Sequence, residues 1–548
     1  MKKRLIYAIL TLFTFVFLLQ GCLISLPERP PSPPSPEPVE DESEIEDGED
    51  EEENERPALI EIPSPGQFTL RFEPESYINP LVTLNRDNIV LGSLIYESLF
   101  ILDEHLVAKP LLCSNWQTDD NIEFTFEILP DILMHDGEPL TANDVAYSIN
   151  HASKNGRHAG KLSAISSIDT DGELTVTITL ESPNARFIRL LDIPIIRSGT
   201  SASHFPPGSG PYVFPAPDAM RLVRFSGHRQ FSEMPLPVIN LIVCEDRELT
   251  ELFDNGGLSV LWDDPTGAFD MRLNRRNEPR HYNTSALHFI GFNANSAVLG
   301  DSDVRRAIGS SIERQYIVEN IMNIPNPGQT VASPVAISPI FDLYDSEWEN
   351  RGIHPLVEMG ALLSRAGLAD YNEDGFLEVP DGLGGYRPFT LTFIVNVENA
   401  HKLAAAHRIA DTLRQSGFDI NLRELQWELF IATLEDGGFD MYYGETLLGA
   451  DFDLSPLLLP GDLNFGRTAD NAYKPFIDEF LAADTPEAVS IAGARLTMEI
   501  IQDATFIPIL YKRHAIYSPT GVIKGAFPSQ SGVFNNFQDW NIDLYMLN

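Results

Sequence analysis

Between Leu23 and Arg56 the chain is dominated by Pro, Ser, Glu and Asp, with Pro30-Pro31-Ser32-Pro33-Pro34 followed by the acidic block Glu49-Asp50-Glu51-Glu52-Glu53. Such a segment cannot bury enough apolar surface to offset its ordering entropy, and its like charges repel. Residues 23–57 are therefore read as a disordered, acidic, Pro-rich stalk, and a folded body has to begin after it. Before the stalk come a basic start (Lys2, Lys3, Arg4), an apolar run from Leu5 to Leu19, and Leu19-Gln20-Gly21-Cys22. The run is shorter than the roughly 20 residues that cross a bilayer, and the small residue before Cys22 suits a peptidase. Residues 1–22 read as a lipoprotein signal peptide with lipid on Cys22. An ordinary cleavage site beside an incidental cysteine is the alternative. The expectation is an extracytoplasmic body, anchored to the outer face of the cell membrane.

About 490 residues follow the stalk, more than one ordinary core holds, and no second membrane-spanning stretch occurs among them. Two or three domains are expected. The formal net charge of −42, with no cluster of Lys and Arg, excludes nucleic acid as a partner. Cys113 and Cys244 sit in apolar strand-like runs and read as buried free thiols, without disulfide or metal-ligand spacing.

The body alternates strand patterns with amphipathic helices and has no fixed-period repeat, which predicts α/β layers. Thr141-Ala142-Asn143-Asp144 reads as a capping box that opens a helix toward Asn150, after the turn His135-Asp136-Gly137. From His401 to Ser416, Leu403, Ala406, Ala410 and Leu413 share one helical face; Gly417 ends it, and Ile420, Leu422 and Leu425 alternate as a strand. Another helix, capped by Asp301 or Ser302, turns Val304, Ala307, Ile308 and Ile312 inward and leaves Arg305 and Arg306 to solvent.

Leu94-Ile95-Tyr96-Glu97-Ser98-Leu99, Asn115-Trp116, Phe124-Thr125-Phe126-Glu127-Ile128 and the run from His135 to Val145 occur in an order that resembles the family-five solute-binding proteins. These are receptors of oligopeptide, dipeptide and nickel ABC importers. The likeness continues through Gly208-Ser209-Gly210-Pro211-Tyr212, Gly291-Phe292-Asn293, Asp303-Val304-Arg305-Arg306-Ala307 and Phe439-Asp440-Met441, to Ile507-Pro508-Ile509-Leu510-Tyr511. It implies an α/β clamshell of the type II periplasmic-binding-protein kind: two lobes, with an extra domain embedded in the first, closing on a ligand. The first lobe would take residues 58–297 plus 520–548, with the embedded domain at about 100–205, and the second 298–519.

The resemblance also implies a site. In peptide-binding members an Asp after an exposed strand pairs with the peptide ammonium, and the matching segment here runs from Gly444 to Asp453. Asp451 is the expected anchor, because a cation leaving water needs a carboxylate and hydrogen bonds in exchange. A turn cap is its other reading. Glu445, Thr446, Leu447 and Gly449 would offer a strand edge to the peptide backbone. Leu447 and Leu448 stand where many relatives carry Gly-Trp. Tyr96 and Glu97 would face the cleft and Asn293 would lie near the crossing between lobes, as contacts or as packing.

Asp370-Tyr371-Asn372-Glu373-Asp374-Gly375-Phe376-Leu377-Glu378-Val379-Pro380-Asp381 has EF-hand spacing. A structural Ca²⁺ would take Asp370, Asn372, Asp374, the Phe376 carbonyl and Asp381. The same pattern also suits an Asx-rich hairpin loop, and no cofactor is required.

The function expected is that of a monomeric binding protein that passes short peptides to an ABC permease in the membrane. The alternatives are a nickel chelate, opine or oligosaccharide as ligand, or a peptide sensor or chaperone. An enzyme is not expected: His-Glu-x-x-His, Gly-x-Ser-x-Gly and Cys-x-x-Cys do not occur.

Overall fold

The computed structural model describes residues 66–547 except 155, 264–271, 325–327, 329, 353–355, 462 and 468–470. The segments read as signal peptide and stalk, and Cys22 between them, lie outside the described residues. Among those described, no helix is long and apolar enough to cross a membrane.

Strand Thr69–Arg71 pairs parallel with Val238–Ile242, which continues antiparallel through Arg221–Arg224 to Tyr212–Val213. Within this stretch of chain an antiparallel sheet, Cys113–Gln117, Glu123–Ile128, Thr175–Leu180 and Ile165–Asp171, is covered by helix Ala142–Lys154. Helix entry follows the capping pattern with one change. The Asp144 carboxylate accepts from the Thr141 N–H at 2.9 Å and from the Thr141 hydroxyl at 2.8 Å, so the hydroxyl serves the carboxylate and not the helix backbone.

The largest sheet is seven-stranded and mixed, ordered Leu261–Trp262, Phe506–Pro519, Asn277–Phe292, Met441–Leu447, Thr390–Asn396, Asp419–Leu425, with Thr330–Ala332 paired to Phe506–Pro519. Helix Ala400–Gln415 connects the parallel neighbours Thr390–Asn396 and Asp419–Leu425. Its N-cap Asn399 accepts from Lys402 N–H at 2.9 Å, it buries Ala406, Ala410 and Leu413, and Gly417 at φ +91° turns the chain back.

Helix Ser302–Ser310 is capped by Asp301 and buries Val304, Ala307 and Ile308. Arg305, expected in solvent, instead donates to the carbonyls of Asp503 and Ala504, and of Leu299 and Gly300. The orphan carbonyls that end helix Pro486–Asp503 need donors, and this guanidinium supplies them. Cys113 and Cys244 are buried free thiols, which burial pushes up to about 11.

Two antiparallel strands, Asn277–Phe292 and Phe506–Pro519, run through more than one core. Tyr282 and Ile516 belong to the core built on residues before 263 and after 521, whereas Leu287, Phe289 and Tyr511 belong to a core of the second half of the chain. The change falls where the pairing skips from Asn283–Arg513 to Ala286–Lys512. Thr284 and Ser285 are thus a bulge, held by Thr284 Oγ1 donating to Lys512 O (2.6 Å), Ser285 Oγ to Leu448 O (2.6 Å), and Ser285 N–H to Gln530 Oε1 (2.7 Å).

Candidate functional site

Beside the bulge lies a cavity of about 890 Å³, toward the upper end of the roughly 300–1,000 Å³ common for small-molecule clefts. Its walls include Tyr96 and Glu97, every residue from Glu445 to Asp451, and Asp453. Seven residues singled out in the sequence, Tyr96, Glu97, Glu445, Thr446, Leu447, Gly449 and Asp451, thus share one cavity. Asn293 is not among its walls. Its amide donates to the carbonyls of Gly437 (3.2 Å) and Phe439 (3.0 Å), and its oxygen accepts from Asn295 N–H (3.0 Å). That is a turn-pinning role, on the packing side of the two readings given for it.

Strand Met441–Leu447 pairs with Asn277–Phe292 along its whole length, from Met441–Phe292 to Leu447–Ala286. On its other side Thr390–Asn396 accompanies it only at Met441 and Tyr442. From Tyr443 to Leu447 the second edge has no strand partner among the described residues, and Leu447 is 63 % exposed.

Past this edge the chain turns at Gly449, where a Cβ would come within 2.4 Å of the Asp451 carboxylate, so glycine lets that carboxylate fold back. Asp451 is 2 % exposed. Its Oδ2 accepts from Asn184 Nδ2 at 2.7 Å and its Oδ1 from Asp453 N–H at 3.3 Å. A carboxylate has about four lone-pair sites, so both bonds leave acceptor capacity. Burial and the Asp451 charge push the neighbouring Asp453 carboxyl up to about 6. Arg186 completes the surroundings. It donates to Asp451 O (3.4 Å), Ala483 O (3.0 Å) and Phe480 O (2.8 Å) and lies 4.5 Å over the Phe480 ring.

Glu445 faces Lys402 Nζ at 2.7 Å and His288 Nε2 at 3.6 Å. Against the burial that would raise it, His288, Lys402 and Lys512 hold its carboxyl well below the usual carboxylate range. Glu97 is committed to protein partners: Arg229 donates to both its oxygens (2.6 and 3.0 Å), Ser209 Oγ to one (2.9 Å), and His228 Nε2 lies 3.4 Å away. These bonds outweigh burial and keep its carboxyl below the usual value. Tyr96 donates to Pro206 O at 3.2 Å. Elsewhere on the walls Lys161 is ion-paired with Asp192, and the solvent-exposed Arg157 lies within reach of the same Asp192 charge.

Asn184, Arg186, His288 and Lys402 were not singled out in the sequence. Only the Pro183-Asn184 loop signal after a strand pattern marks the first two, and their partners lie hundreds of residues away. Of the proposed calcium ligands, Asp370 and Asp374 come together, with Glu378 as the third carboxylate. Asp381 is diverted: its Oδ1 accepts from Leu383 N–H (2.7 Å) and Gly385 N–H (2.9 Å), closing the next hairpin turn.

A mixed α/β body with a ligand-sized cavity beside two long shared strands is a clamshell binding protein of the type II periplasmic kind. The profile of the bacterial extracellular solute-binding proteins, family 5 (middle region), matches residues 107–460, and the chain belongs to that family. Protein XP55 of Streptomyces lividans is 26% identical over 439 residues, 75% of this chain and 76% of its own. The oligopeptide-binding protein AppA of Bacillus subtilis is 21% identical over 393 residues, 66% of this chain and 69% of its own. The AppA structure with a nonapeptide superposes with a TM-score of 0.64 at 17% identity, over 88% of this chain and 100% of that one. NikZ of Campylobacter jejuni in complex with Ni(L-His) gives 0.66 at 17%, over 87% and 100%. The clamshell fold implied by the sequence motifs is therefore established.

Proposed function

We propose that the protein captures short peptides between its lobes and hands them to an ABC permease, as a monomer tethered outside the cytoplasm by lipid on Cys22. One observation carries the peptide reading: the unpartnered edge from Glu445 to Leu447 lies on the cavity and leads directly to the buried Asp451 carboxylate. An extended peptide adds to such an edge through its backbone, which leaves side chains to loose pockets and makes selectivity broad. Its ammonium would meet Asp451 and Asp453, two carboxyl groups whose mutual repulsion a cation relieves. Arg157, Lys161 and Asp192 together carry one excess positive charge and suit the peptide carboxylate. That the relative AppA is an oligopeptide-binding protein agrees with this reading.

We place the first lobe at 58–297 plus 520–548, with the embedded domain at about 100–205, and the second at 298–519. The cores divide earlier in the chain than these bounds, at the Thr284–Ser285 bulge and the opposing Lys512–Arg513, and we assign the hinge there. The test is native mass spectrometry of the body from residue 60, a compact unit, after incubation with a short-peptide mixture. Retention of peptides with free amino termini, lost in Asp451→Ala, is the expected result. Retention of only metal chelates or sugars would overturn the peptide reading and leave the family assignment intact.

A further inference from the structure

Away from the cavity, Asp370, Asp374 and Glu378 offer carboxylate oxygens that all lie within 4.8 Å of one another. Among the described residues no Lys, Arg or His forms an ion pair with any of the three. Two are exposed, but Glu378 is 2 % exposed. It opens strand Glu378–Pro380, its backbone N–H donates to Ala369 O at 2.9 Å, and its Oε2 accepts from Tyr371 N–H at 2.7 Å. Its Oε1 is buried and has no hydrogen-bond partner among the described residues. A buried carboxylate oxygen without a donor loses its hydration for nothing in return, whereas the exposed Asp370 and Asp374 carboxylates accept from loop N–H groups.

A cation at the centre of the three would remove this imbalance. We propose that the loop from Asp370 to Glu378 is a calcium site, with carboxylate oxygens from Asp370, Asp374 and Glu378. The Asn372 side-chain oxygen and the Phe376 carbonyl sit at the intervening loop positions. The oxygens' spread fits the ion: two ligands each about 2.4 Å from one Ca²⁺ lie at most about 4.8 Å apart. The donors are all oxygen, with no imidazole or thiolate to favour zinc or copper. A flexible loop with mixed carboxylate, amide and carbonyl donors suits calcium better than magnesium, which demands a near-ideal octahedron and keeps its waters. The third carboxylate comes from position nine of the loop and not from position twelve, because the chain enters a hairpin at Glu378 that carries Asp381 away. Helix Leu356–Arg365 precedes the site, and Leu377 N–H donates to Gly417 O at 2.8 Å. The ion would therefore tie that helix to the turn between Ala400–Gln415 and Asp419–Leu425.

The test uses the full chain, freed of divalent ions with a chelator and titrated with CaCl₂ by calorimetry. One Ca²⁺ per chain is expected, with Kd between about 10⁻⁶ and 10⁻³ M, and a Tm rise of a few degrees at a hundredfold excess over Kd. Glu378→Gln and the exposed Asp374→Asn should each weaken binding at least about tenfold, while Asp381→Asn stays within about twofold, since one ligand charge is lost only in the first two. No saturable binding and no Tm shift at about 10 mM Ca²⁺ would overturn the site, as would MgCl₂ binding as tightly as CaCl₂. Equal losses in Asp381→Asn and Asp374→Asn would overturn the ligand set.

Discussion

Asn184 donates a 2.7 Å hydrogen bond to the carboxylate of Asp451, 267 residues further along the chain. The amide comes from the loop after strand Thr175–Leu180 and the carboxylate from the turn after strand Met441–Leu447, so two distant parts of the sequence close one end of the cavity. The bond fixes one carboxylate oxygen and leaves lone pairs for a ligand cation.

Asp451→Ala should weaken binding of a short peptide with a free amino terminus by about a hundredfold, or about 3 kcal/mol, the scale of a charge-assisted hydrogen-bonded pair. Asn184→Ala should cost about 1–2 kcal/mol, since it orients the carboxylate without contributing charge. Isothermal titration with the same peptide before and after N-acetylation is the check. An equal loss for both peptides would mean that Asp451 only shapes the turn.

The Asp453 carboxyl, held up by burial and by Asp451 to about 6, makes stability depend on pH. In the unfolded chain it titrates near 3.8. Between those values the folded chain keeps a proton that the unfolded chain has released, so stability falls as pH rises from about 4 to above 6, by about 1–3 kcal/mol. Asp453→Asn should remove this slope and be the more stable protein at pH 8. Denaturant titrations of both proteins at pH 5 and pH 8 decide it.

Glu445 behaves in the opposite sense. Its carboxyl lies well below the usual range, so its contribution is present above about pH 4.5 and is lost as pH falls through the folded value. Glu445→Gln would strand the buried Lys402 ammonium, now 2.7 Å from the carboxylate, and should cost about 3–5 kcal/mol. Adding Lys402→Met should return most of that, because the isolated charge is gone. If the double variant is as unstable as the single one, the pair is not what Glu445 supports.

Arg186 caps three carbonyls at once, those of Phe480, Ala483 and Asp451. A lysine ammonium cannot span that fork, so Arg186→Lys should lower stability by about 2–3 kcal/mol and weaken peptide binding with it. Thermal unfolding and titration on one preparation measure both effects. A loss of stability with binding unchanged would separate the cap from the site.

What could be read from the sequence was what depends on near neighbours. Thr141 and Asp144 lie within one turn, as do Asn399 and Lys402, and Gly417 carries its own backbone preference, so the helix limits were visible. The segment from Glu445 to Asp451 was recognisable because its residues are contiguous. Arg305 was misjudged because two of its four carbonyl partners, Asp503 and Ala504, are nearly 200 residues away. Asn293 could be read as contact or as packing, because the carbonyls of Gly437 and Phe439 that its amide serves lie more than 140 residues away. Position twelve of the acidic loop looked like a ligand on spacing alone, since a count along the chain does not reveal that a hairpin starts at position nine.

The bulge between the cores also has parity. Thr284 and Ser285 add two residues to one strand, an even number, so inward and outward side chains stay in phase from Tyr282 to His288. Deleting both would straighten the strand pair and keep every residue on its own face. Deleting one would turn Ala286, Leu287 and His288 over together, taking Leu287 out of its core and His288 away from Glu445. At this joint a two-residue change keeps the faces in register, whereas the one-residue offset that the same strand pair carries between His288 and Phe289 falls beyond it.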